Sequence, residues 1–175
     1  MTIHSLHGLL MIAAISGGCA TRDAEMNGSA SAAMTFVIVR HAEKAADDPK
    51  DPSLSEAGQA RAQRASERLA DECVTATYAT RYRRTQMTAT RTAQAHGLEV
   101  STYDAAQPAV DFAAQLRRAH AAGVVLVVGH SNTVADIAGA LCACTVSPLR
   151  EDEYDRWIEV RIGWDGAVEL EESRY

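Results

Sequence analysis

The chain has 175 residues, of which 47% are hydrophobic and 5% aromatic, and its formal net charge at pH 7 is −6. This length corresponds to a single domain whose core consists mostly of Ala, Val, Leu and Ile. The acidic balance argues against a nucleic-acid surface, which needs a basic face, and a polybasic membrane patch is also absent.

The first 34 residues differ in composition from the rest of the chain. An apolar run that ends in small residues and Cys19 is too short to cross a bilayer but has the length of a signal-peptide core. Residues 16–19 resemble a bacterial lipobox. We therefore expect a lipoprotein signal peptide over 1–18, a lipid anchor on Cys19, a flexible tether over 19–34 and the domain over 35–175.

The lipid anchor predicts a periplasm-facing protein, attached to the outer membrane in a bacterium with two membranes because Ala20 is not the aspartate associated with inner-membrane retention. The alternative is a misassigned start codon. The region before the apolar run has no Lys or Arg, and Ser16 stands where Leu is usual. If Met26 or Met34 is the true first residue, the protein is cytoplasmic.

The other cysteines are Cys73, Cys142 and Cys144, and they do not have the spacing of a zinc site. In an oxidising compartment two of the three could pair, and the sequence does not say which two. The alternative is that they are small buried residues. No metal is predicted.

Strand and helix patterns alternate from residue 35 onward. Residues 36–39 form a continuous apolar run, which predicts a strand buried on both faces. A polar loop with two prolines follows, and then a helix for which Ser55 is a plausible N-cap. The first half of the predicted domain then contains a helix from about 55 to 71, a strand over 74–80, and a helix over 82–96 that is closed by Gly97.

The second half continues the alternation and ends in two strands. We predict a strand over 98–104, a helix from about 108 that ends before Gly123, a strand over 124–130, a helix over 131–142, and strands over 156–162 and 168–170 joined by an Asp-Gly turn. Alternating strands and helices predict an α/β fold with three layers, a doubly wound, mostly parallel sheet flanked by helices, with an antiparallel edge.

Polar residues follow the predicted parallel strands at their carboxyl ends, where open α/β sheets bind ligands. The first strand leads into Arg40 and His41, the second into Thr80 and Arg84, the third into Asp104 and the fourth into His130. Arginine forks together with helix N-termini suit a phosphate or another tetrahedral anion.

These residues carry a family resemblance. The runs Arg40-His41-Ala42-Glu43, Leu54-Ser55-Glu56-Ala57-Gly58, Thr80 with Arg84 and Thr88, and Gly129-His130-Ser131-Asn132 resemble the histidine phosphatase superfamily in order and spacing, over residues 35 to about 162. Ala42 stands where the mutase signature has Gly. That alanine is tolerated in the small phosphohistidine-phosphatase group, so the resemblance is nearest to those members.

The resemblance implies a function for each matched residue. His41 is the expected nucleophile and forms a phosphohistidine, and Arg40, Arg84 and His130 are expected to hold the phosphoryl oxygens. No metal or other cofactor is expected, because the arginines supply the positive charge. A neutral His41 is required for attack, and the neighbouring guanidinium groups are expected to lower its pKa.

The general acid is less well defined by the resemblance. Ser131 follows His130, which excludes the branch that has an aspartate there. Asp104 and Asp111 lie where the other branch has its acid, and Asp104 is preferred because it follows its strand directly. A substrate with a good leaving group, such as a phosphoramidate or a pyrophosphate, needs an acid less.

Two other functions stay open at this point. One is a module that binds phosphate or a phosphorylated ligand without turnover, and the other is a phosphomutase. Only about 40 residues separate Arg84 from the fourth strand, which leaves little room for the lid of a mutase. For Glu43 a structural role is preferred, with Lys44 or Arg84 as a possible partner. The substrate, a small molecule or a protein-borne phosphate, is not specified by the sequence.

Overall fold

The computed structural model describes residues 32–175. The predicted signal peptide, Cys19 and most of the predicted tether lie outside the described residues. The first strand begins at Ala32, three residues before the predicted start of the domain, because Ala32 pairs with Gly163 and Met34 with Ile162. Within the described range, no helix combines the length and the apolar character needed to cross a membrane.

The described part of the chain contains strands and helices in the predicted order. The last helix begins three residues later than predicted, because the Thr133 hydroxyl accepts a hydrogen bond from His130 N (2.9 Å) and holds 131–133 as a turn. The elements are β1 (Ala32–Arg40), α1 (Glu56–Arg68), β2 (Val74–Thr80), α2 (Arg83–Ala95), β3 (Val100–Tyr103), α3 (Ala109–Ala119), β4 (Gly123–Gly129), α4 (Val134–Cys142), β5 (Arg156–Gly163) and β6 (Val168–Arg174).

The strands form one mixed sheet in the order β3-β2-β4-β1-β5-β6. The first four strands of this order are parallel to one another, and β5 runs antiparallel to both β1 and β6. Gly166, with a φ of 81°, allows the tight turn between the last two strands. The predicted α/β class and its antiparallel edge are confirmed.

Alternate residues of the central strands pack into two separate cores. Phe36 and Ile38 of β1 face a core shared with α3 and α4, whereas Val37 and Val39 face a core shared with α1 and α2. Successive side chains of a strand point to opposite faces of its sheet, which explains the continuous apolar run of β1. The sheet is therefore the middle of three layers.

A disulfide closes the C-terminal end of the last helix. Cys142 and Cys144 are bonded to each other across the left-handed Ala143 that ends α4. This pairing is one of the alternatives that the sequence left open.

Candidate active site

The neighbouring positions of β1 and β4 bring the two candidate histidines together. Arg40 pairs with Gly129 at the ends of these strands, and His41 N continues the pairing by donating to Gly129 O (2.9 Å). His130 directly follows the end of β4, so the two imidazole centroids lie 5.4 Å apart. The carboxyl edge of the sheet thus sets the distance between the histidines.

A cavity of about 380 Å³ opens at this edge. It contains four of the five site residues predicted from the sequence, namely Arg40, His41, Arg84 and His130. Further residues line the cavity, and two of them, Ser131 and Asn132, belong to the motif that follows β4. The other lining residues are Lys44, Lys50, Tyr82, Ala105, Ser131, Asn132, Thr133 and Glu151.

His41 is held as a neutral imidazole with one defined tautomer. Its Nδ1 lies 2.8 Å from Ala42 O, and because a carbonyl only accepts, Nδ1 carries the proton and Nε2 keeps its lone pair. Burial lowers the pKa of His41 to about 3, with smaller contributions from His130, Arg84 and Arg40. Burial, more than the guanidinium groups invoked from the sequence, is therefore the main cause of its neutrality.

His130 lies at the end of a buried chain of hydroxyl groups. Its Nε2 is 3.0 Å from Thr80 Oγ1, which is 2.8 Å from Thr85 Oγ1. The Thr85 hydroxyl lies within donating distance of Tyr82 O (2.7 Å) and Thr80 O (3.0 Å). Burial, followed by Arg84 and Arg40, lowers the pKa of His130 to about 4.

Arg40 lines the cavity and also binds the segment before β5. Its Nη1 donates to the carbonyl oxygens of Arg150 (3.1 Å), Glu151 (2.8 Å) and Glu153 (3.1 Å), and its guanidinium lies 4.1 Å above the centre of the Tyr154 ring. Arg40 therefore fixes this segment against the cavity while it presents positive charge there.

Arg84 projects from the first turn of α2. Its Nη1 lies 3.7 Å from Asp51 Oδ1, and its guanidinium lies 4.5 Å from the centre of the Tyr82 ring. The Nε atoms of both Arg84 and Arg40 are buried without a hydrogen-bond partner. Both residues line the cavity, and the positive charge of their guanidinium groups suits an anion whose oxygens accept hydrogen bonds.

Asp104, the fifth predicted residue, does not line this cavity. Its carboxylate accepts a hydrogen bond from Ala106 N (2.9 Å) in the turn after β3, and it borders a separate cavity beside Tyr82. Within residues 32–175, Glu151 is the carboxylate that lines the cavity of His41. No pattern in the sequence pointed to Glu151, because it lies in the loop between α4 and β5 and does not follow a strand.

Glu151 is held beside the predicted phosphate-binding residues. Ser131 Oγ donates to its Oε1 (2.7 Å), and its Oε2 lies 3.3 Å from Arg40 Nη2. These contacts lower the pKa of the Glu151 carboxyl, with the Ser131 hydrogen bond as the larger cause. The carboxylate is therefore ionised at neutral pH.

Glu43 has a structural role, as preferred from the sequence, but with a different partner. Both of its carboxylate oxygens accept from Arg61 Nε (3.0 Å each), and Oε1 also accepts from Arg61 Nη2 (2.7 Å). This bidentate pair joins the segment after β1 to helix α1. It does not involve Lys44 or Arg84.

Comparison with known proteins agrees with this fold. The sequence model of the histidine phosphatase superfamily (branch 1) matches residues 36–107. A search of curated proteins gave no significant match.

Solved structures with the same fold have low sequence identity to the chain. The protein histidine phosphatase SixA complexed with tungstate is 16% identical, with a TM-score of 0.63 over 81% of this chain and 97% of that one. A putative alpha-ribazole-5'-P phosphatase from Escherichia coli is 15% identical, with a TM-score of 0.64 over 82% and 97%. A mycobacterial glucosyl-3-phosphoglycerate phosphatase is 17% identical, with a TM-score of 0.57 over 81% and 97%.

These structural likenesses show a shared fold. The family match covers the segment that contains Arg40, His41 and Arg84. His130 lies outside that segment, and the pairing of β1 with β4 places it beside them. The match over residues 36–107 and the shared fold together support a place for the chain in the histidine phosphatase superfamily.

Proposed function

We propose that the protein is a phosphatase that transfers a phosphoryl group first to His41 and then to water. The observation that carries this proposal is the state of His41, which is buried and neutral, with its Nδ1 proton bound to Ala42 O and its Nε2 lone pair free. A neutral imidazole beside two arginines is suited to attack on phosphorus.

The reaction has two transfer steps. In the first, a bond forms between His41 Nε2 and phosphorus while the bond to the leaving group breaks, and the leaving group keeps the electron pair. In the second, water attacks phosphorus, the N–P bond breaks and its electron pair returns to Nε2, while a proton of the water passes to another phosphate oxygen or to solvent. Arg40, Arg84 and His130 stabilise the charge on the phosphoryl oxygens in both steps.

Within residues 32–175, neither of the two carboxyl groups considered as general acid suits that role. Asp104 lies elsewhere, and Glu151 is ionised because of Ser131 and Arg40. An ionised carboxylate cannot donate a proton, so we propose that the enzyme favours leaving groups that need little protonation, such as phosphoramidates, pyrophosphates and aryl phosphates.

Turnover of p-nitrophenyl phosphate tests the proposal against a module that only binds phosphate. The wild type should hydrolyse it, with the same rate in EDTA and with inhibition by vanadate, and His41→Ala should be inactive. Arg84→Ala should lower kcat/KM by a factor on the order of 10², since a charge partner of the transition state is lost. His96→Gln, on the far end of α2, is the control variant.

Several results would contradict the proposal. Turnover that persists in His41→Ala would exclude the mechanism, and activity that is lost on chelation and restored by one divalent ion would exclude metal independence. Wild type that binds phosphate without any turnover would favour the binding module. Transfer between positions of one substrate in place of release would favour the mutase.

We also propose that the domain works in the periplasm on a lipid anchor at Cys19. The lipobox-like residues 16–19 support the anchor, and the Cys142–Cys144 disulfide is typical of an oxidising compartment. Wild type expressed from Met1 should be found in the membrane fraction and should be extracted from it by detergent, whereas Cys19→Ala should carry no lipid. Unlipidated wild type in the cytosol would contradict the anchor and leave the phosphatase proposal standing.

A further inference from the structure

Lysine is rare in this chain, and its distribution is uneven. Of the 17 basic residues, only Lys44 and Lys50 are lysines. Both line the cavity that contains His41 and His130. The rest of the surface carries its positive charge on arginine, so the two flexible ammonium groups are confined to the candidate site.

Neither ammonium group has a carboxylate partner within 4 Å in the part of the chain that the structure describes, although acidic residues surround Lys50 in sequence. Asp47 Oδ2 pairs with Arg83 Nη1 (3.4 Å), and Asp51 Oδ1 accepts from Arg83 N (2.9 Å). Asp48 Oδ1 accepts from Lys50 N (2.8 Å) and Asp51 N (3.1 Å). The acids of this segment are thus engaged with arginine and with backbone. The ionised Glu151 of the same cavity interacts with Lys44 through its charge, without an ion pair within 4 Å, so both ammonium groups are free to bind an anion.

The segment that carries both lysines is fixed at several points. Lys44 forms an isolated antiparallel bridge with Leu54, and Ala45 N donates to Ser53 O (2.9 Å). Asp51 also ties the segment to α2 through Arg84. The backbones of Lys44 and Lys50 are therefore placed relative to the phosphate-binding arginines, while their exposed side chains can reach a ligand.

We propose that Lys44 and Lys50 form a second anion subsite, which binds a negatively charged group of the substrate other than the phosphoryl group that is transferred. The proposal rests on the proposed function, since Arg40, Arg84 and the histidines then hold the transferred group. The substrate class is a phosphorylated compound with a second anionic group nearby, either a carboxylate or another phosphate.

Matched substrates that differ in one charge test the subsite. The first pair is phosphoglycolate and its amide, the second is 4-(carboxymethyl)phenyl phosphate and its amide, and the third is a phosphopeptide with Asp or Asn beside the phosphorylated residue. Wild type should favour the acid over the amide in kcat/KM by roughly three- to tenfold in at least one pair, with the preference decreasing in salt. The pair that responds tells a small-molecule substrate from a protein-borne one.

The double variant Lys44→Met/Lys50→Met should bring the acid-to-amide ratio close to one. Arg64→Met/Arg118→Met is the matched control, because it removes two exposed positive charges outside the cavity and should keep the ratio of the wild type. A wild-type ratio near one in all three pairs, or a preference that persists in the lysine variant, would overturn the proposal.

Binding without turnover separates this proposal from the proposed function. Calorimetry on His41→Ala, which cannot form the phosphohistidine, should show tighter binding of inorganic diphosphate than of inorganic phosphate. The added Lys44→Met/Lys50→Met changes should remove that difference. Equal binding of the two anions by His41→Ala overturns the subsite whatever the wild type hydrolyses.

Discussion

His41 shows how single contacts prepare a common residue for the role of nucleophile that we propose for it. Its neighbours on the sheet edge bury it, the Ala42 carbonyl fixes the proton on Nδ1, and the reactive Nε2 is left unprotonated. The sequence predicted the residue from its motif and predicted neutrality from charge. It could not predict the larger effect, burial, because burial depends on strands that are distant along the chain.

Thr80 illustrates a positioning residue for His130. The Thr85 hydroxyl donates to backbone carbonyls, so the Thr80 hydroxyl donates to Thr85 Oγ1 and Thr80 Oγ1 accepts from His130 Nε2. This order of donors fixes which nitrogen of His130 carries a proton in the neutral form. Nδ1 of neutral His130 therefore carries no proton, and it can donate to a phosphoryl oxygen only as the imidazolium, which the negative charge of a bound phosphoryl group favours.

We predict that Thr80→Val lowers kcat/KM about tenfold, because it leaves the His130 N–H without a partner in a buried position. Thr80→Ser should restore most of the activity, and the ¹⁵N shifts of His130 should show a mixture of tautomers in the valine variant. Thr92→Val is the control, since the buried Thr92 hydroxyl has no partner. Wild-type rates and shifts in Thr80→Val would contradict this role.

Helix α1 supports the segment that follows His41. The Ser55 hydroxyl accepts from Gly58 N (3.1 Å) and caps the helix, and Ser55 N donates to Glu43 O (2.9 Å). The helix therefore begins in direct contact with the backbone that follows His41. The close approach requires a glycine, because a Cβ at Gly58 would lie 2.3 Å from Glu43 O.

We predict that Gly58→Ala destabilises the protein by about 2 kcal/mol or more, although alanine normally stabilises a helix relative to glycine by about 1 kcal/mol. The clash with Glu43 outweighs the helix propensity, and it should also displace His41 and lower kcat. Urea unfolding and turnover measure the two effects. Gln59→Ala, exposed on the same helix, should change neither, and a stabilised Gly58→Ala would contradict the prediction.

The elements could be predicted closely because each carries local signals. The apolar runs of β1 and β4, the cap at Ser55 and the Gly97 that ends α2 were all visible in the sequence. The start of α4 was predicted three residues early, because the turn at Ser131 and Asn132 depends on a contact of Thr133 with the backbone of His130. The start of β1 was missed because its pairing with β5 involves residues about 130 positions away.

The complete set of residues that line the site could be identified only from the folded molecule. Four of its residues could be predicted from the sequence, because each lies at the end of a predicted strand or in the first turn of the helix that follows one. Asp104 was assigned to the site on the same argument, but the turn after β3 carries its carboxylate elsewhere. Glu151, Lys44 and Lys50 come from loops, whose paths depend on long-range contacts such as those of Arg40.

Two neutral histidines in the core also affect the stability of the whole molecule. The pKa of His41 is lowered to about 3 and that of His130 to about 4, whereas an unfolded histidine has a pKa of about 6.5. Between these values the unfolded chain binds more protons than the folded one. The folded state therefore has its full stability with respect to these two histidines above pH 6.5, and that contribution to the free energy of unfolding is lost as the pH falls toward 4.

We predict that the free energy of unfolding falls by about 2 kcal/mol per histidine between pH 7 and pH 5. Urea unfolding in phosphate-free buffer measures the change. The double variant His41→Gln/His130→Gln should lose most of the pH dependence in this window, and His120, whose pKa burial also lowers, contributes in the same direction. Unfolding midpoints that do not change between pH 7 and pH 5 in the wild type would contradict the neutral state of both histidines.

The most direct test of the phosphohistidine mechanism is to trap the intermediate. Enzyme mixed with p-nitrophenyl phosphate and quenched in base should gain the mass of one phosphoryl group, which maps to His41 and is lost in acid. His41→Ala treated in the same way should gain no mass. A phosphoryl group on another residue, or wild-type turnover in His41→Ala, would show that His41 is not the nucleophile.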